Sequence, residues 1–309
     1  TDMTENTLKE KTAKGLMWGT ISNGAQLVLG TLFGIFLARI LSPSDYGMVG
    51  LLTVFSQIAS VLQDSGFRTA LANRREIVHE DYNAVFWFNV GTSCVMYLLR
   101  FFLAPLITEF YQHSDAAANQ DLSELTPLAR FSFLGFVIAS LGTAHYAYLF
   151  RTLQVKQKAI ITVISLTTSS TIGLTMALKG YAYWGLATQG IAFTTCNTIL
   201  FWYFSKWRPT LPVSFHPLKE MFGFSSKLLA NDICNNINGN ILSVMLGRFY
   251  AVHDVGLYNQ ANKWTSMVST MVLGTIKDVA QPVLRNVETE RERHKRVFRK
   301  MLRLSLIHI

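Results

Sequence analysis

Charged residues are scarce in this chain: they make up 15% of its 309 residues, where a soluble domain carries ~25%. That shortage excludes an ordinary water-soluble domain. Cysteine is scarce as well. Cys94, Cys196 and Cys234 have neither a CxxC partner nor a histidine at ligand spacing, which excludes a disulfide framework and a zinc site. They are expected as small buried apolar side chains. No GxSxG, HExxH, P-loop or GxGxxG sequence occurs, so no enzymatic chemistry, cofactor or metal is expected. The net charge of +9 would fit a nucleic-acid binder only if gathered on one soluble face. Here it falls in short clusters between apolar blocks, and no nucleic-acid partner is expected.

What the chain has in quantity is apolar sequence: half of its residues are hydrophobic and the mean hydropathy is +0.26. A helix crossing ~30 Å of hydrocarbon needs ~20 mostly apolar residues. Runs of that order recur at Gly15–Ala38, Tyr46–Gln63, Tyr82–Leu99 (extended past Arg100 to Thr108), Phe131–Phe150, Ala159–Leu178 and Gly180–Ser205. Two more polar runs follow, Leu228–Gly247 with Asp232 inside it and Trp264–Leu284 with Lys277 and Asp278. The expectation is an all-α, polytopic transmembrane bundle of at least eight helices. The first run is too long for the apolar core of a signal peptide and no small-residue cleavage site follows it, so it reads as a retained helix.

Placing the amino terminus in the cytoplasm puts 20 of the 28 lysines and arginines in cytoplasmic segments and 4 (Arg39, Arg130, Lys179 and Arg248) in outer loops. The bias is a positive-inside signal and supports the number of crossings. The basic stretch Arg285–Arg303 reads equally as a solvated helix face or as a helix lying on anionic headgroups.

A short pattern repeats at an offset of 209 residues. Leu37, Arg39, Asp45 and Gly47 correspond to Leu246, Arg248, Asp254 and Gly256. The same offset aligns the first span with the seventh. Repeats of six helices that start on the same side are parallel halves related by an axis along the membrane normal. The expected division is a first six-helix lobe over 1–206 and the start of a second over 207–309, in which two helices and the beginning of a third make the second lobe truncated.

The seventh span is the most polar. Lys227, Asn231, Asn235 and Asn238 are spaced four, four and three, which places them on one helical face. Amides facing lipid would leave hydrogen bonds unmade, so that face is expected to meet a water-filled cavity, with interhelical bonding as the plainer alternative. Ser22, Asn23 and Gln26 give the first span a milder version, Ser22 and Gln26 matching Asn231 and Asn235 at the 209-residue offset. These seven residues form the candidate substrate cavity, because amides offer donors and acceptors to sugar hydroxyls. Lys227, Arg68, Lys263 and Lys277 are candidate phosphate contacts. Arg100 reads as a residue snorkelling to the outer interface, and His145 as a packed core histidine.

Several stretches carry a resemblance. Leu41-Ser-Pro-Ser-Asp-Tyr-Gly47, Asp64-Ser-Gly-Phe-Arg-Thr-Ala-Leu71 with Arg74-Arg75, and Asp81-Tyr-Asn-Ala-Val-Phe-Trp-Phe-Asn89 are three of them. Phe222-Gly-Phe-Ser225, Leu246-Gly-Arg-Phe249 and Val255-Gly-Leu-Tyr-Asn-Gln-Ala261 are the others. With these the chain resembles the polysaccharide transporter family of the multidrug/oligosaccharidyl-lipid/polysaccharide exporter superfamily, in particular its lipopolysaccharide biosynthesis (WzxC-like) branch. The resemblance implies a two-lobe, alternating-access flippase in the bacterial inner membrane. Its implied substrate is an undecaprenyl-pyrophosphate-linked glycan, and membrane lipids are its surroundings. The alternatives are a cation antiporter of the same superfamily, which needs a buried carboxylate absent from the cores of the first six spans, and a membrane-embedded transferase, which needs a catalytic cluster.

Overall fold

The computed structural model describes residues 2–64, 71, 77–112, 122–152, 154–211, 214–267, 295 and 299. The described residues are helical apart from short turns. In chain order the helices are α1 (Asp2–Ile40), α2 (Pro43–Asp64), α3 (His79–Gln112), α4 (Leu125–Arg151), α5 (Val155–Leu178), α6 (Ala182–Phe204) and α7 (His216–Phe249), followed by α8 over 252–267. Two compact units divide the chain, Thr1–Asn259 and Gln260–Ile309.

Each of the first seven apolar runs falls on its own helix. Among the described residues, four stretches are long and apolar enough to cross a membrane: Met17–Ile40, His79–Gln112, Leu125–Arg151 and Val155–Leu178. Together with the relatives described below, they make this a multi-pass membrane protein. Helices α2, α6 and α7 have 22, 23 and 34 residues, which is length enough to cross as well, and α7, rich in amides, is the most polar. The eighth expected run also begins on a helix of its own. Helix α8 starts at 252, twelve residues before Trp264, and positions beyond 267 lie outside the described residues, as does most of Arg285–Arg303.

Large apolar side chains are exposed along whole helix faces, among them Val28 and Leu32 of α1, Val95, Leu98 and Phe102 of α3, and Ile199 and Tyr203 of α6. In water such faces would be costly; in lipid they are the outside of the bundle. The same inversion corrects the cysteine expectation. Cys94 and Cys234 are exposed, Cys196 is half-buried, and all three are free thiols. A small apolar side chain can face lipid as readily as the core.

Packing runs α1 on α5, α5 on α6, α4 on both α3 and α6, and α2 on α7. Helix α5 ends in a Schellman motif, with Gly180 N–H donating to Ala177 O (3.0 Å) and Tyr181 N–H to Met176 O (3.1 Å). Gly180 holds φ +83° there, a conformation that a Cβ disfavours. Within α3, Pro105 has no N–H to give the carbonyl four residues back. That carbonyl, of Phe101, instead accepts from Arg130 Nε of α4 at 3.1 Å. Arg130, expected in an outer loop, thus lies in the second turn of α4, its guanidinium 4.2 Å from the centre of the Phe101 ring. Arg100 likewise turns to α4, over Phe136 (4.7 Å) and Phe133 (5.1 Å).

The 209-residue offset reappears in the helix boundaries. Helix α1 ends at Ile40 and α7 at Phe249; α2 begins at Pro43 and α8 at 252. The two turns touch reciprocally: Gly47 lies against the carbonyl of Val252, and Gly256 against the carbonyl of Pro43. Gly47 corresponds to Gly256 and Pro43 to Val252 at the same offset, so one contact is made twice. Neither glycine has room for a Cβ.

Candidate functional site

Helices α2, α4, α5 and α6 enclose a cavity of about 580 Å³. Small residues create it. Gly135, Ala139 and Gly142 recur along α4, and Ala187, Gly190 and Thr194 along α6, a spacing that keeps each set on one face. Where α4 and α6 do touch, side chains bond to backbone. Thr198 Oγ1 donates to Ile138 O (3.1 Å) and Trp202 Nε1 to Leu141 O (2.8 Å). Helix α2 contributes Val49, Ser56 and Ser60.

The cavity contains many hydroxyls yet offers few hydrogen bonds. Thr143 donates to Ala139 O, Thr162 to Lys158 O, Thr194 to Gly190 O and Ser60 to Ser56 O, and Asn197 Nδ2 donates to Phe193 O. These donors serve the backbone of their own helices, leaving methyl groups, glycines and aromatic edges to dominate the wall. At the α4–α5 end, Lys158 Nζ donates to Tyr146 Oη at 3.0 Å and sits over the rings of Tyr146 and Phe150.

The residues singled out in the sequence lie elsewhere. In α1, Ser22 is buried, Asn23 is exposed, and Gln26 Nε2 donates back to Ser22 Oγ (3.2 Å) and Ser22 O (3.3 Å). In α7, Lys227, Asn231, Asn235 and Asn238 are all exposed, and Asn231 reaches only Asp232 (3.5 Å). The α7 face that meets protein is a different one. Asn240 Nδ2 donates to Gln57 Oε1 of α2 at 2.7 Å, Ser243 Oγ to Asn259 Oδ1 at 3.0 Å, and Gly247 abuts Leu51 and Tyr111. At ~100° per residue, Asn231 lies about 180° from Asn240. Among the described residues no hydrogen bond joins the α1 set to the α7 set. Lys263 is exposed in the second unit; Arg68 and Lys277 lie outside the described residues.

The connection from α6 to α7 is fastened to α3. Asn83 Nδ2 donates to Thr210 O (2.8 Å), Thr210 N–H donates to Asn83 Oδ1 (3.0 Å), and Trp87 Nε1 adds a bond to Thr210 O (3.2 Å). Behind this clamp His145 is fully buried among Trp202, Trp207 and Phe86, with ring centroids 4.5, 5.0 and 6.3 Å away. Its two ring nitrogens have no hydrogen-bond partner. Among the described residues no group of three His, Cys, Asp or Glu could hold a metal.

A family model places this membrane bundle. The model described as polysaccharide biosynthesis protein matches residues 36–308. The chain belongs to that family. Among curated proteins it is similar to the lipopolysaccharide biosynthesis protein WzxC of Escherichia coli K12, 29% identical over 303 residues, covering 96% of this chain and 58% of the relative. It is also similar to the succinoglycan biosynthesis transport protein ExoT of Rhizobium meliloti, 25% identical with coverage of 94% and 57%. The teichuronic acid biosynthesis protein TuaB of Bacillus subtilis is 22% identical, with coverage of 87% and 54%. The chain thus spans less than two thirds of the length of these relatives. No solved structure matches it.

For this polysaccharide biosynthesis family member, the cavity residues were the ones sequence reasoning missed. Glycine, serine and threonine are common in membrane helices, and only the packing of α4 against α6 distinguishes those that line a space.

Proposed function

We propose that the protein is a lipid-linked oligosaccharide flippase for surface polysaccharide biosynthesis. It carries an undecaprenyl-pyrophosphate-linked glycan from the inner to the outer leaflet of the bacterial cytoplasmic membrane by alternating access. The family match across residues 36–308 carries the reading; the similarity to ExoT, a succinoglycan biosynthesis transport protein, supports it. The amino terminus is cytoplasmic in this scheme, residues 1–206 form one lobe and 207–309 begin the second. The exposed amides of Asn231, Asn235 and Asn238 face the glycan with Ser22, Asn23 and Gln26. Lys227, Arg68, Lys263 and Lys277 attend the phosphates, since an unpaired anion away from water is costly. A cation antiporter would use a buried acid. Among the described residues the buried carboxylate is Asp81, and it accepts from Val78 N–H at 3.0 Å as a cap of α3.

The test is a strain lacking the complete gene, complemented with variants and assayed for surface glycan and for lipid-linked glycan left on the cytoplasmic side. Lys227→Gln is expected to reduce export while the protein stays inserted, and Lys227→Arg to retain more, because the charge survives. Normal export without the gene would defeat the flippase reading. Cysteines at Asn231 and Asn235 should react with a membrane-impermeant thiol reagent; a cysteine at Ser243 should not. Protection at all three would remove the aqueous cavity from that face.

A further inference from the structure

The cavity among α2, α4, α5 and α6 is walled mainly by apolar atoms. The hydroxyl donors of Thr143, Thr162 and Thr194 and one amide N–H of Asn197 are already bonded to backbone, so these groups offer a ligand chiefly acceptor oxygens. The volume, about 580 Å³, falls within the ~300–1,000 Å³ of small-molecule pockets. An apolar ligand would find Gly190 in open space, with no atom within 4 Å of a Cβ built there. One end of the cavity is charged. Lys158 Nζ bonds to Tyr146 Oη, a lining group, and Thr162, one turn along α5, is another. Lys158 has no carboxylate partner among the described residues, so its positive charge is held by aromatic faces and one phenol.

We infer that this cavity binds the phosphate-proximal isoprene units of a polyprenyl phosphate, with Lys158 pairing with the phosphate at the α4–α5 end. The inference rests on the flippase reading and adds to it a place for the carrier lipid, separate from the α7 amide face. An ammonium held by a phenol and two ring faces is incompletely neutralised, and a phosphate oxygen supplies the charge-assisted bond it lacks. The isoprene chain takes the methyl- and glycine-lined wall. On the topology given above, the α4–α5 end is the cytoplasmic end, where a carrier lipid from the inner leaflet presents its phosphate.

Farnesyl phosphate, farnesol, inorganic pyrophosphate and dioleoyl phosphatidic acid serve as probes of the purified full chain in detergent. Farnesyl phosphate should bind more tightly than farnesol by about tenfold, the worth of one charge-assisted hydrogen bond. Lys158→Gln should erase that difference and leave farnesol binding unchanged. Gly190→Leu should weaken both isoprenoids about tenfold without lowering the melting temperature; should that variant misfold, Gly190→Ala should give a smaller loss of the same sign. Pyrophosphate should not compete. Unchanged isoprenoid binding in Gly190→Leu, or unchanged farnesyl phosphate binding in Lys158→Gln, would overturn the assignment. Phosphatidic acid competing as well as farnesyl phosphate would also overturn it, showing a groove for any anionic lipid. Any of these failures leaves the flippase reading standing if glycan export still requires the gene, since that is read separately in the complemented strain.

Discussion

Arg130 donates to the carbonyl of Phe101, the oxygen that Pro105 leaves without an intrahelical partner. The arginine is therefore part of the helix-ladder accounting of α3, although it sits on α4. Removing it strands a backbone acceptor, at a cost of about 1–3 kcal/mol. Arg130→Leu should destabilise the detergent-solubilised protein by that amount in thermal or denaturant unfolding. In a Pro105→Ala background, position 105 regains an N–H and the same substitution should cost less than about half as much. Strictly additive effects would show that the arginine acts through its ring contact alone.

The reciprocal glycines make a prediction with opposite signs at different sites. Glycine to alanine within a helix is ordinarily worth about 0.5–1 kcal/mol of added stability. Gly91 has nothing within 4 Å of a Cβ, so Gly91→Ala should raise the melting temperature or leave it unchanged. Gly47→Ala and Gly256→Ala push a methyl into a carbonyl and should destabilise by about 1–3 kcal/mol. Equal shifts at all three positions would mean that the two turns part freely.

The clamp on the α6–α7 connection is also measurable. Asn83 is buried and exchanges two hydrogen bonds with the backbone of Thr210. Asn83→Ala should speed proteolytic cleavage between Ser205 and His216 while α3 to α6 stay folded. Cleavage at the parental rate would assign the fastening to Trp87 and the aromatic cluster instead.

Orientation is tested at the two ends of one helix. Lys156 lies in the first turn of α5, and Lys179 is its exposed carboxy-terminal cap. Cysteines at these positions should label from opposite sides of sealed vesicles, that at 156 from the cytoplasmic side. Labelling from a single side would remove α5 from the set of spanning helices.

Much of this architecture was readable in the sequence, and the reasons for the exceptions are physical. Long uncharged runs locate helices because hydrocarbon demands them, so α1 and α3 to α6 fall where expected. The match of Leu37 to Leu246 and of Gly47 to Gly256 anticipated helix ends that recur at the same 209-residue spacing. Helical periodicity correctly groups Lys227, Asn231, Asn235 and Asn238 on one face but does not say which neighbour that face meets; the bonding falls to Asn240 and Ser243. The eighth run, from Trp264, begins inside α8, and its remainder lies outside the described residues. Gly135, Gly142 and Gly190 look like ordinary membrane-helix glycines until α4 and α6 are set side by side.

The clamp at Thr210 also sets a length. From Thr210, held on α3, to His216, where α7 begins, five residues intervene. Fully extended, the six steps from Thr210 to His216 reach at most about 22 Å. The first turn of α7 therefore stays within that reach of α3. The helix's amino-terminal end is tied to α3 through Thr210, while the other end is held on α2 through Asn240 and Gly247.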